Sequence, residues 1–169
     1  MTLTAAPVIL VAIFAPFAGL LELNLGNWAP NTPVYVNAAG HEAMNLTDWI
    51  FPNIMDGGSM EAPGCFPQWA TPSRGWDTAP IESVFKTPEH WNGRRVWLGA
   101  GGPFVGTLQV NGVSIGGVTD LETPFQFDIT DYLNPAGRAN VAHIIIHDGV
   151  PNCSNGFGIG TVSLAVRPS

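Results

Sequence analysis

Lysine is almost missing from this chain: Lys86 is the only one, and charged residues of both signs make up 11% of its 169 residues, against about 25% in ordinary soluble domains. No Lys or Arg precedes Arg74. A secretory leader carries a basic stretch ahead of its apolar core, so the apolar opening Met1 to Leu21 lacks the flank that a leader needs. A membrane-spanning helix takes about 20 apolar residues, and Pro7 and Pro16 shorten the run. No membrane span is expected. Clustered basic residues are scarce as well. Only Arg94-Arg95 stand together, and 13 Asp plus Glu against 6 Lys plus Arg give a net charge of −7. Nucleic-acid binding by counterion release needs the opposite balance and is not expected. Sparse charge suits an extracellular glycan binder or a subunit packed into an assembly.

Long helical periodicity is lacking too. With 20 Gly and 15 Pro, no long helical pattern runs free of both. Many short strands and loops follow, so the fold class is all-β. Only two cysteines occur, Cys65 and Cys153, both in loops rich in Gly, Pro and Asn. A disulfide between them would pin those loops together and imply an oxidising compartment; two free thiols are the alternative.

No catalytic pattern stands out. Glu82, Glu89 and Glu122 are scattered, and nothing pairs two carboxylates as glycoside hydrolysis requires. No Ser-His-Asp or Cys-His arrangement is signalled. Gly99-Ala100-Gly101-Gly102 lacks the Lys and the helix of a phosphate loop and reads as a crossing between strands. His143 and His147 lie four residues apart on one expected strand. That is roughly 13 Å at about 3.3 Å per residue, and zinc ligands sit about 2 Å from the ion, so the two cannot share one. The expectation is a non-enzyme with no cofactor and no metal. His147-Asp148 reads as a strand-end polar pair able to hydrogen-bond a ligand.

What the chain does have is centred on Val84 to Asp148. Leu108-Gln109-Val110 and Val113-Ser114-Ile115-Gly116 flank Asn111-Gly112, the pair that most readily supplies the positive φ angles of a type I′ hairpin turn. Thr123-Pro124-Phe125-Gln126-Phe127-Asp128-Ile129-Thr130 alternates, with Phe125, Phe127 and Ile129 on one face. After the turn Asn134-Pro135-Ala136-Gly137, the β-branched run Val141 to His147 predicts another strand. Tight turns predict that these strands form one antiparallel sheet.

These residues resemble a known family. Trp91-Asn92-Gly93-Arg94-Arg95-Val96-Trp97-Leu98, then Val110-Asn111-Gly112 with Gly116, then Thr123-Pro124-Phe125 with Phe127-Asp128-Ile129-Thr130 and Leu133, are similar in order and spacing to the N-terminal sugar-binding domain of family 2 glycoside hydrolases. That group includes the β-galactosidases and β-glucuronidases. Gly158-Ile159-Gly160-Thr161-Val162-Ser163-Leu164 resembles the family's closing strand, and Leu23-Asn24-Leu25-Gly26-Asn27-Trp28 is a looser match to its opening. The resemblance covers about Leu21 to Val166. It implies a jelly-roll β-sandwich of the galactose-binding type, here over residues 21–169, while the apolar residues 1–20 read as an arm or added strand ahead of it. The family's catalytic carboxylates sit on a separate barrel, and a barrel alone takes about 250 residues, more than this chain holds.

Val8 to Phe14 reads as the arm itself, docked on this sandwich or on a neighbour. From Asn27 to Trp76 the chain reads as irregular, with Trp28, Trp49, Trp69 and Trp76 set among Pro, Gly, Asn and Asp. Each ring suits a core, an interface or a sugar face. Asn45-Leu46-Thr47 and Asn152-Cys153-Ser154 match short glycosylation acceptors. In the family, the loop before the closing strand reaches the active site; here it spans Asp148 to Phe157 and offers Asn152, Ser154 and Asn155. The leading expectation is a non-catalytic carbohydrate-binding or adhesion module at a cell exterior or virion surface. Trp69 and Trp76 would be its stacking platforms, and Asp148, Asn152 and Asn155 its hydrogen-bonding partners. The rival is a structural protein of a larger assembly, such as a phage capsid-decorating or tail protein, with protein partners engaged through the arm. A small subunit that completes a hydrolase is a third reading.

Overall fold

The computed structural model describes residues 33–52, 58–67, 79–101, 105–118, 125–148, 153 and 158–167. Within them the chain forms thirteen strands: β1 (Tyr35–Val36), β2 (Glu42–Asn45), β3 (Asp48–Ile50), β4 (Ser59–Glu61), β5 (Gly64–Cys65), β6 (Ala79–Lys86), β7 (Val96–Gly101), β8 (Val105–Val110), β9 (Val113–Val118), β10 (Phe125–Asp128), β11 (Ala139–Asp148), β12 (Gly158–Ile159) and β13 (Thr161–Val166). They make a five-stranded sheet in the order β1-β2-β13-β7-β10, a six-stranded sheet in the order β4-β3-β6-β11-β8-β9, and a small pair of β12 with β5. Every pairing is antiparallel. This is an all-β jelly-roll sandwich.

Period-2 alternation decides which face each strand buries. In β11, Asn140, Ala142, Ile144 and Ile146 are fully buried, and in β6 Ile81, Ser83 and Phe85 are buried opposite them in register. Across the sandwich, Val162, Leu164 and Val166 of β13 and Val96, Leu98 and Ala100 of β7 close the same core. Trp49 and Trp91 lie in it as well. The Trp49 indole N–H donates to the Leu46 carbonyl at 2.9 Å, which satisfies its buried polar atom.

The β8–β9 hairpin closes as its sequence predicts. Asn111 takes φ +50° and Gly112 φ +79°, with Val110 opposite Val113. Asn111 also ties this tip to the rest of the fold. Its Nδ2 donates to the Tyr132 carbonyl at 2.7 Å and to Asn140 Oδ1 at 2.9 Å, while its Oδ1 accepts the Val141 N–H at 2.9 Å.

Three expectations are corrected. The strand at Phe125 does not extend the hairpin's sheet; β10 pairs with β7 in the opposite sheet. The reason lies in packing across the sandwich: a Cβ at Gly116 of β9 would come within 2.6 Å of the Phe127 ring, so Phe127 fills the space that this glycine leaves. The strand also stops at Asp128, whose Oδ1 accepts the Thr130 N–H at 3.1 Å and its hydroxyl at 2.6 Å and turns the chain into a short 3-10 helix, Thr130–Tyr132. Second, Gly99, Ala100 and Gly101 are not a crossing but the end of β7. Third, the described part of the stretch read as irregular supplies β1 to β5, each of two to four residues, too short for alternation to reveal.

The N-terminal arm, residues 1–20, lies outside the described residues. Among those described, no helix is long and apolar enough to cross a membrane.

Candidate functional site

Two described elements frame the loop between Asp148 and Gly158. β11 ends at Asp148, set opposite Val105 after a register shift that follows Ile146. β12 then pairs Gly158 with Cys65 and Ile159 with Gly64. Cys65 and Cys153 form a disulfide with their Cα atoms 5.5 Å apart across 88 residues of sequence, so the bridge weighed from the sequence is present. Glycine is required where the strands meet it. A Cβ at Gly158 would lie 2.7 Å from both Cys153 Sγ and the Gly64 carbonyl oxygen, and one at Gly64 would lie 2.5 Å from the Glu61 carbonyl oxygen. Next to Cys65, Phe66 is buried and meets Phe51 edge-on at 5.3 Å between centroids. The β5–β12 pair is therefore anchored to the core on one side and to the loop at Cys153 on the other.

Of the residues expected to contact sugar, Trp69, Trp76, Asn152 and Asn155 lie outside the described residues, and Asp148 is placed as the last residue of β11. The bridge joins Cys65, four residues before Trp69, to Cys153, which follows Asn152 directly. Trp49 is a core residue. Asn45 of the first acceptor motif accepts a hydrogen bond from the Tyr35 hydroxyl at 2.7 Å.

Sequence reasoning missed two polar groupings. Glu82 of β6 faces His143 of β11 in register on the outer side of the six-stranded sheet, with Oε1 3.0 Å from Nδ1. No local motif announces a pair 61 residues apart. At one end of the sandwich, Glu42 Oε2 accepts from Arg94 Nη1 at 2.6 Å and from the Trp91 indole at 3.0 Å, with His90 Nε2 at 3.5 Å. Desolvation raises the Glu42 carboxyl, but the bonds from Arg94 and Trp91 and the charges of Arg94 and His90 outweigh it and hold it below its ordinary value. His143 lies mid-strand and His147 beside the register shift of β11. Among the described residues no group of three His, Cys, Asp or Glu side chains is placed to hold a metal ion.

No protein-family profile matches the chain, and no curated protein sequence matches it. Solved structures do. A β-D-glucuronidase from Dictyoglomus thermophilum superposes with a TM-score of 0.64 at 18% identity, over 80% of this chain and 30% of that one. A β-glucuronidase from Ruminococcus gnavus in complex with uronic deoxynojirimycin gives a TM-score of 0.57 at 19% identity, over 76% of this chain and 29% of that one. The same enzyme in complex with uronic isofagomine gives 0.58 at 19% identity. The chain thus spans about a third of the length of these enzymes and shares the fold of that part of them.

Proposed function

We propose that this chain is a non-catalytic carbohydrate-binding module built on the sugar-binding sandwich of family 2 glycoside hydrolases. The observation that carries the reading is the fold shared with part of two β-glucuronidases over 76–80% of the chain. The resemblance of the Trp91 to Leu98, Val110 to Gly116 and Thr123 to Leu133 segments to that family points the same way.

The bridge supports the location of the site. It links the neighbourhoods of Trp69 and of Asn152, two stretches expected to contact sugar. Flat indole rings stack on the C–H faces of pyranoses, and amide and carboxylate groups read the hydroxyls. A disulfide also favours an oxidising compartment and hence an extracellular setting. The assembly reading rests on sparse charge and on the apolar segment Met1 to Leu21; no described feature adds to it.

A glycan-array screen of the wild-type chain and of Trp76→Ala tests the proposal. Binding to a defined glycan class, lost in a variant that still unfolds at the wild-type temperature, is the expected result. An array with no signal above background sinks it.

A further inference from the structure

Resting on the carbohydrate reading, we propose that the outer face of the five-stranded sheet is a second saccharide-binding surface, selective for a carboxylate-bearing pyranose such as a uronate.

Strand register sets this face out. Tyr35 pairs with Ala43, Ala43 with Ala165, Ala165 with Trp97, and Trp97 with Asp128, so one row of side chains crosses the whole sheet. Met44, Leu164 and Leu98, the next residues along their strands, point into the core, which turns the row outward. At about 4.8 Å per strand, Tyr35 and Trp97 stand about 14 Å apart, with alanines between them. The row thus places an aromatic ring toward each side of the sheet.

The Tyr35 side chain reaches diagonally to β2. Its hydroxyl donates to Oδ1 of Asn45, two residues along β2 from its partner Ala43, and Ala43 is covered, at 1% exposed. Tyr35 itself keeps 40% of its surface open. A part-exposed ring with its hydroxyl already satisfied is an aromatic surface of the kind that a pyranose C–H face stacks on.

Charge selects the sugar. Arg95 and Arg167 are two of the six cations of the whole chain, and they are neighbours, with the Arg167 N–H donating to the Arg95 carbonyl at 3.3 Å. The Arg167 guanidinium lies 4.3 Å from the centre of the Trp97 ring and donates to Gln126 Oε1. Stacking and that bond pre-orient a planar fork whose remaining N–H groups suit a carboxylate. The acid of the row, Asp128, is already engaged by Thr130 and lies 3.7 Å from Arg95. Among the described residues the face therefore carries a net positive charge on a chain whose total is −7, which favours an anionic glycan over a neutral one.

The test is a calorimetric titration at low salt with oligogalacturonate, beside its carboxyl-reduced neutral counterpart. The wild-type chain, Tyr35→Phe, Tyr35→Ala and Arg167→Gln are each checked for wild-type thermal unfolding. The expected result is tighter binding of the acidic oligomer, weakened about tenfold or more by Tyr35→Ala and by Arg167→Gln, retained by Tyr35→Phe, and weakened by added salt. Equal binding of the two oligomers, or acidic binding untouched by both truncations, overturns the proposal. If glycan binding is lost in Trp76→Ala and unchanged in Tyr35→Ala and Arg167→Gln, this face is refuted while the carbohydrate module stands. If no glycan binds at all, both fall.

Discussion

His143 Nδ1 lies 3.0 Å from Glu82 Oε1, across the β6–β11 pairing and on the outer face of the six-stranded sheet, with each side chain about three-quarters buried. The other ring nitrogen, Nε2, is buried without a hydrogen-bond partner. Among the described residues, Glu82 is the group paired with this imidazole. Glu82→Ala is expected to cost about 1–3 kcal/mol, because it strands a largely buried polar group. Replacing both residues with apolar ones of similar size, Glu82→Leu with His143→Phe, is expected to cost less than Glu82→Ala alone. Urea unfolding of the variants checks the order.

The disulfide closes a loop of 88 residues, and loop-closure entropy of that size is worth about 4.6 kcal/mol. Cys65→Ser with Cys153→Ser should lower the unfolding free energy by about that amount. The buried Ile, Leu and Val of the two large sheets do not depend on the bond, so the far-ultraviolet circular dichroism of the native state should persist.

Gly158 is a sharper probe of the same corner. A methyl group there meets Cys153 Sγ and the Gly64 carbonyl oxygen, both at 2.7 Å, and neither is the end of a flexible side chain. Gly158→Ala is expected to destabilise by about 1–3 kcal/mol. Hydrogen exchange at Cys65 and Ile159 should rise while that of Ile144 stays slow.

Acid sensitivity follows from Asp128. Desolvation raises its carboxyl, but hydrogen bonds from the Thr130 hydroxyl and N–H and the charge of Arg95 outweigh it, leaving it below its ordinary value of 3.8. A carboxylate depressed in the folded state stabilises fully above its unfolded value, and that contribution is lost as pH falls through the folded one. Glu42 acts in the same sense. Stability should therefore drop below about pH 4, and Asp128→Asn should flatten the drop while lowering stability at neutral pH. Urea unfolding from pH 7 to pH 2.5 reads both.

Much of the fold is legible in the sequence because alternation and turn chemistry are local. Asn111-Gly112 needs only its own φ angles, and Val141 to Ile146 needs only its period. The partner of a strand is another matter. That β10 crosses to the opposite sheet depends on Phe127 fitting over Gly116, a contact no local pattern encodes. Strands β1 to β5 are too short for any period. The same holds for side-chain groupings: Glu82 and His143 meet through register, Tyr35 and Trp97 fall on one row through it, and register is a property of the assembled sheet. Loop residues are legible by their chemistry alone, and the described structure joins Cys153 to Cys65 of β5.

The most direct measurement of the central claim is a titration of the purified chain with its best array glycan, read for binding heat and for newly released reducing ends. A carbohydrate-binding module without catalysis gives saturable heat and no reducing ends. Absence of heat, or steady release of reducing sugar, contradicts it.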